Sequence, residues 1–99
     1  MNNKYVYIYL DPRKSGSFTY GSYCFEYEPF YVGKGSGYRC NAHLSREGGN
    51  PYRYSKIKNI ISAGLNPIII KIVSNISNEK ASELEMKLIQ LIGRKPGPL

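Results

Sequence analysis

Tryptophan is absent from these 99 residues, histidine occurs once and cysteine twice. Two cysteines, Cys24 and Cys40, cannot build the disulfide framework on which small secreted domains rely, so both read as free thiols. Cys40 and His43 could supply two zinc ligands, but a structural zinc site takes four, and zinc is set aside. No apolar run approaches the roughly 20 residues that span a bilayer, and Met1-Asn2-Asn3-Lys4 leads into alternating tyrosines instead of a signal-peptide core. A membrane-spanning role is excluded, and the chain reads as soluble and cytoplasmic. Acids are scarce as well: 7 Asp and Glu face 14 Lys and Arg, a formal charge of +7. That balance favours a polyanionic partner, nucleic acid before an anionic lipid surface, and argues nothing about fold. The length allows one domain, residues 1–99, with a thin core.

What the chain does have is tyrosine, ten of them. In "YVYIYL" (5–10) Tyr5, Tyr7 and Tyr9 alternate with Val6, Ile8 and Leu10, which is the pattern of a strand with an aliphatic core face and a tyrosine face. "DPRKSG" is expected to break that strand, and "FTYGSYCFEYEP" to form a hairpin around Gly21-Ser22 that ends at Pro29. "FYVG" resumes as strand, with Phe30 and Val32 on one side and Tyr31 joining the tyrosine set. Residues 37–46 read as a short helix with Arg39, His43 and Arg46 on one face. A second helix is capped by Asn50, begins at Pro51, carries Ile57, Ile60 and Ile61, and ends at Gly64. "PIIIKIV" (67–73) reads as a covered strand. The last helix starts at Ser77 or Asn78 and ends at Gly93. The whole is an α+β domain: a small, mainly antiparallel three-stranded sheet flanked by about three helices, with an extra hairpin inserted between Tyr7 and Tyr31.

The residues with chemical potential each have a plain reading beside the functional one. On the last helix, Ala81, Leu84, Leu88, Ile89, Leu91 and Ile92 form a stripe from about −80° to +80°, and Glu85 falls inside it at about +40°. A carboxylate there must be paired, hydrogen-bonded or bound to a cation. A salt bridge at the core edge and a metal ion both satisfy it. Tyr7 and Tyr31 suit half-buried strand positions whether or not they act chemically. Gly33-Lys34-Gly35-Ser36-Gly37 matches neither G-x-x-x-x-G-K-[ST] nor G-x-G-x-x-G, which removes nucleotide binding but leaves close backbone approach. Between Lys34 and Lys58 there are six basic residues, Lys34, Arg39, Arg46, Arg53, Lys56 and Lys58, against the single acid Glu47. Interleaved tyrosines make that stretch a candidate phosphate-backbone surface.

Tyr5-Val6-Tyr7, Tyr31-Val32-Gly33, the Arg39/His43 pair and the late Glu85, in that order, resemble the GIY-YIG nuclease superfamily. The style of "YIYLDPRK" and "FYVGKGSGYR" is similar to catalytic domains of phage and mobile-element (homing-type) endonucleases, which implies an origin in a phage acting within a bacterial host. The resemblance implies hydrolysis of DNA phosphodiester bonds with one divalent ion, Mg²⁺ or Mn²⁺, and no small-molecule cofactor. It makes Tyr7 and Tyr31 the motif tyrosines and Gly33 the glycine that permits close packing. Arg39 becomes the phosphate clamp, His43 its support and Glu85 the metal ligand, with Lys34, Arg46, Arg53, Lys56 and Lys58 left for DNA contact. The sequence also departs from the family pattern. Tyr5 stands where the first motif has glycine, and Tyr9 shares Tyr7's face, so either flanking tyrosine competes for the first-motif role. The insert Asp11–Pro29 is long, and no asparagine follows Asn78, which implies a missing C-terminal segment. The alternative is a non-catalytic nucleic-acid-binding module that keeps the fold and the basic face.

Overall fold

A hairpin dominates the architecture. In the computed structural model, which describes residues 2–37 and 51–93 with the side chains of 51–53 excepted, β1 (Lys4–Tyr20) turns at Gly21-Ser22 into β2 (Tyr23–Gly35). Gly21 takes φ 61° at the first central position of this two-residue turn, where a side chain would be strained. Helix α1 (Pro51–Ser62), strand β3 (Ile68–Ile76) and helix α2 (Asn78–Ile92) follow. β1 is central in the antiparallel order β2-β1-β3. An α+β fold with a three-stranded antiparallel sheet is therefore present, with two helices among the described residues. Residues 38–46 of the expected helix at 37–46 and the Asn50 cap lie outside them, and Gly37, with φ 58°, is a turn residue. None of the described helices is long and apolar enough to cross a membrane.

The expected break at "DPRKSG" does not occur, and the insert is not a separate hairpin. β1 runs through it because register shifts absorb the surplus: Asp11 pairs with Glu28 and Ser15 with Tyr27, so Pro12, Arg13 and Lys14 have no partners on β2. Proline is tolerated at such a bulge, where no ladder donor is needed. A second shift between Tyr9 and Leu10 inserts Phe30 on β2. Alternation fails there, and Phe30 joins the tyrosine face instead of lying beside Val32.

Both faces of β1 are covered. Val6, Ile8 and Leu10 pack with Phe25 and Val32 against Ala81, Leu88 and Ile92 of α2. Tyr5, Tyr7, Tyr9 and Phe30 pack against Ile57 and Ile60 of α1. Each of those isoleucines contributes roughly 1.5–3 kcal/mol by burial. Ile61, expected in the same stripe, is 45% exposed. Strand β3 is an edge, and Ile70 at 36% exposure shows that its apolar run is not covered as its composition suggests. The helix ends follow the punctuation of the sequence. Leu65 N–H bonds Ile60 O and Gly64 N–H bonds Ile61 O, a Schellman closure with Gly64 at φ 81°. Ser77 caps α2 by accepting the Lys80 N–H at 3.2 Å.

An ion network fastens α1 to the bulge. Asp11 is fully buried. Its Oδ1 accepts the Arg13 backbone N–H at 2.9 Å and Nε at 3.0 Å, while Oδ2 accepts Nη2 at 3.0 Å. Lys56 of α1 lies 3.5 Å from Asp11 and 3.2 Å from Glu28, and Lys14 lies 3.5 Å from Glu28. Burial alone would push the Asp11 carboxyl up, but the bonds and charge of Arg13, with the charge of Lys56, hold it below its ordinary value.

Because Asp11 stays ionised further into acid when folded, its contribution is complete above the unfolded value of 3.8 and is lost as pH falls through the lower folded value. Asp11→Asn should cost about 2 kcal/mol in urea unfolding at pH 7, less than a fully buried pair because Arg13 reaches water. Below about pH 4 the variant's stability should depend on pH less steeply than that of the wild type.

Candidate functional site

The second-motif glycine explains how the tyrosine face is arranged. Across the β1/β2 ladder Tyr7 pairs with Gly33 and Tyr5 with Gly35, so β2 continues as strand through the glycine run instead of yielding to a loop. A Cβ at position 33 would lie 2.6 Å from both Cζ and Oη of Tyr7 and 3.0 Å from Cε2 of Tyr31. The Tyr7 ring therefore lies across Gly33, and its hydroxyl end reaches the edge strand. Tyr31 closes on the same ring at a centroid distance of 6.0 Å. Tyr9 instead pairs across the ladder with Tyr31 and meets Phe30 at 5.9 Å, so Tyr7 is the β1 tyrosine that rests on Gly33.

Helix α2 approaches β2 from the opposite face. Lys34, one residue beyond Gly33, points to that face, and its Nζ donates to Ser82 Oγ and, at 3.3 Å, to Asn78 Oδ1. Ser82 shares a flank of α2 with Glu85, and with Met86, Ile89 and Gln90 they line an open depression of about 320 Å³. Glu85 is half-buried there, as its place in the apolar stripe requires. Gly33 and Lys34 thus serve the two faces in turn, the first seating Tyr7 and the second holding the α2 flank that carries Glu85.

Of the residues singled out in the sequence, Tyr7, Tyr31 and Gly33 are brought into contact, and Glu85 stands on the helix that Lys34 ties to the same strand. Arg39, His43 and Arg46 lie outside the described residues, as does the side chain of Arg53. Lys58 is exposed on α1, its Nζ 5.6 Å from the Tyr54 ring centroid. Lys56 is only 11% exposed and engages Asp11 and Glu28, and Lys34 engages Ser82 and Asn78. Both lysines are used inside the protein. Sequence reasoning passed over Asp11, although an acid two residues before an arginine at a proline was a signal for a local clamp. Tyr5, a competitor for the first-motif role in the sequence, pairs across the ladder with Gly35 as Tyr7 does with Gly33.

Gly33→Ala should destabilise the domain by roughly 1–3 kcal/mol, because the methyl group must displace the Tyr7 ring. Tyr7→Leu removes the atoms it meets, so the double variant should lose at least about 0.5 kcal/mol less than the two single losses added together. Strict additivity in urea unfolding would mean that the two side chains do not share the space.

No curated protein and no solved structure matches the chain. Residues 4–96 match the family model described as a LEM-3-like GIY-YIG domain. That match spans both tyrosine strands, both helices and β3, and on it the chain belongs to the GIY-YIG superfamily, as a LEM-3-like GIY-YIG domain.

Proposed function

We propose that this domain is a divalent-metal-dependent DNA endonuclease, with its reaction centre at the β2 edge. The observation that carries the reading is the Tyr7 ring laid across Gly33 beside Tyr31, in a chain of this family, with the Glu85 flank of α2 tied to the next residue of the same strand. A formal charge of +7 supports a phosphate-rich substrate.

Among the described residues no group of three or more His, Cys, Asp or Glu side chains is assembled. Asp11 and Glu28 are engaged with cations, and Glu85 is the carboxylate proposed for the ion, from its half-buried place on the flank of α2. A single carboxylate suits Mg²⁺, which keeps several waters and takes phosphate oxygens as ligands. The ion, when bound, supplies charge stabilisation on the phosphoryl and leaving oxygens. Tyr7 would accept the proton of the attacking water as its phenolate, with Tyr31 beside it orienting that water, and the leaving oxygen would take its proton from solvent. Arg39 holds the non-bridging oxygens as negative charge builds, with His43 beside it in the sequence pattern. The water oxygen bonds to phosphorus as one P–O ester bond breaks, leaving a phosphate on one end and a hydroxyl on the other. Lys58, Arg46 and Arg53 are the proposed backbone contacts.

Plasmid DNA incubated with Mg²⁺ or Mn²⁺ should be cut by the wild type. Glu85→Ala and Arg39→Ala should each slow cutting by on the order of 100-fold while remaining folded. Equal cutting by all three proteins would overturn the reading. Salt-sensitive DNA binding that ignores Glu85→Ala, with no cutting in either metal, would select the non-catalytic binding module.

A further inference from the structure

The fold redistributes the lysines that the sequence offers to DNA. Lys34 and Lys56 are engaged inside the protein, while Lys71, from an apolar run that reads as a covered strand, is exposed. Gly33, Tyr7 and Lys71 form one row across the sheet, since Tyr7 pairs with Gly33 on β2 and with Lys71 on β3. Directly opposed residues share a face of an antiparallel pair, which puts Lys71 on the tyrosine face. Its Nζ lies 4.5 Å from the Tyr5 ring centroid, a cation–π contact. That ring is itself fixed: it is buried, it meets Tyr7 at 5.9 Å, and its hydroxyl donates to the Gly37 carbonyl at 2.6 Å. The Lys71 ammonium therefore stands no farther from the Tyr7 ring centroid than 4.5 and 5.9 Å laid end to end. Lys56 sits 5.9 Å from the Phe30 ring centroid in the same layer, but Asp11 and Glu28 neutralise its charge. Among the described residues no carboxylate pairs with Lys71.

We propose that Lys71 is a contact for a DNA backbone phosphate, holding the duplex across the tyrosine face on the β3 side of Tyr7, a role that rests on the function proposed above. An edge strand often carries a lysine only to block pairing with another chain, and such a lysine gains nothing from a fixed place on one face. Here an aromatic platform holds the side chain and leaves its ammonium in water, so little freedom is lost when a phosphate replaces that water. A ring attracts the charge but leaves the three N–H donors of the ammonium for phosphate oxygens. The Tyr7 hydroxyl end reaches β2, and β3 lies two strand spacings away, about 10 Å. Each DNA strand carries one phosphate per about 3.4 Å of axis, so a backbone crossing the sheet presents a second phosphate to Lys71 while one lies at the β2 edge.

Lys71→Met removes the charge and keeps an apolar stem, Lys71→Arg keeps the charge, and Lys87→Met removes one charge from α2 on the other face of the sheet. Both lysines are exposed, so all three variants should fold. Binding of a short duplex is measured without divalent metal, where nothing is cut. The plot of log K against log salt should be shallower by about 0.9 in Lys71→Met, the slope of one lost phosphate contact, so its deficit against the wild type should grow about eightfold for each tenfold dilution of salt. Lys71→Arg and Lys87→Met should keep the wild-type slope. In plasmid cutting with Mg²⁺, KM for DNA in Lys71→Met should rise by about the factor that binding loses at the same salt, with kcat within about twofold of the wild type. A wild-type slope in Lys71→Met overturns the proposal, and self-association of that variant would then mark Lys71 as a guard of the edge. An equal loss in Lys87→Met also overturns it, because net charge alone would account for both. Should the wild type bind DNA but cut nothing in either metal, the nuclease reading fails and the slopes still decide for Lys71. Should it bind no DNA even at low salt, both readings fall.

Discussion

A missing carbon atom organises this domain. With no Cβ at position 33 the Tyr7 ring can lie across the edge strand, and with any side chain there it cannot. The rest of the tyrosine face follows: Tyr31 closes on Tyr7, Tyr9 fits between Tyr31 and Phe30, and Ile57 and Ile60 cover the layer. Aromatic rings are the largest units available to a small core, and stacking them edge to face lets a 99-residue chain bury both sides of its central strand. The same packing brings the Tyr7 hydroxyl onto β2, the strand that Lys34 ties to α2. Stability and the proposed chemistry draw on one arrangement.

Charge has a divided role. Composition offers fourteen Lys and Arg as phosphate ligands, but the fold takes some for itself. Lys56 bridges α1 to Asp11 and Glu28, Arg13 clamps Asp11 at the bulge, and Lys34 holds the first turn of α2. Buried Asp11 makes the first pair obligatory, since its carboxylate would be costly without cations beside it. The bulge that houses it lets strand pairing persist through a proline-containing stretch. Because Lys56 joins the same network, α1 is docked by ions as well as by its two isoleucines.

Much of the element order was legible because its signals are local. Alternation in "YVYIYL", glycine at the hairpin turn, the Gly64 closure of α1 and the Ser77 cap of α2 each depend on residues within a few positions of one another. Glu85 was legible for the same reason, since helical periodicity alone places it in the apolar stripe. The misreadings share a different cause. "DPRKSG" carries turn residues, yet strand pairing with β2 outweighs them by accepting a bulge. Phe30 changes face because of that partner's register, and "PIIIKIV" is left on an edge because nothing in its own composition says which strand is central.

By itself the sequence determined the kinds of element, their order, the tyrosine and aliphatic faces of β1 and the inward placement of Glu85, because all of these are set by backbone preference and the period of side chains along a single element. Tertiary structure alone decided that Tyr7 rests on Gly33, that Tyr5 reaches Gly37, that Lys56 neutralises Asp11 and Glu28, and that Lys34 holds α2. Each of those joins positions 26 to 48 residues apart, and such contacts depend on register and bulges, which no short stretch of chain encodes.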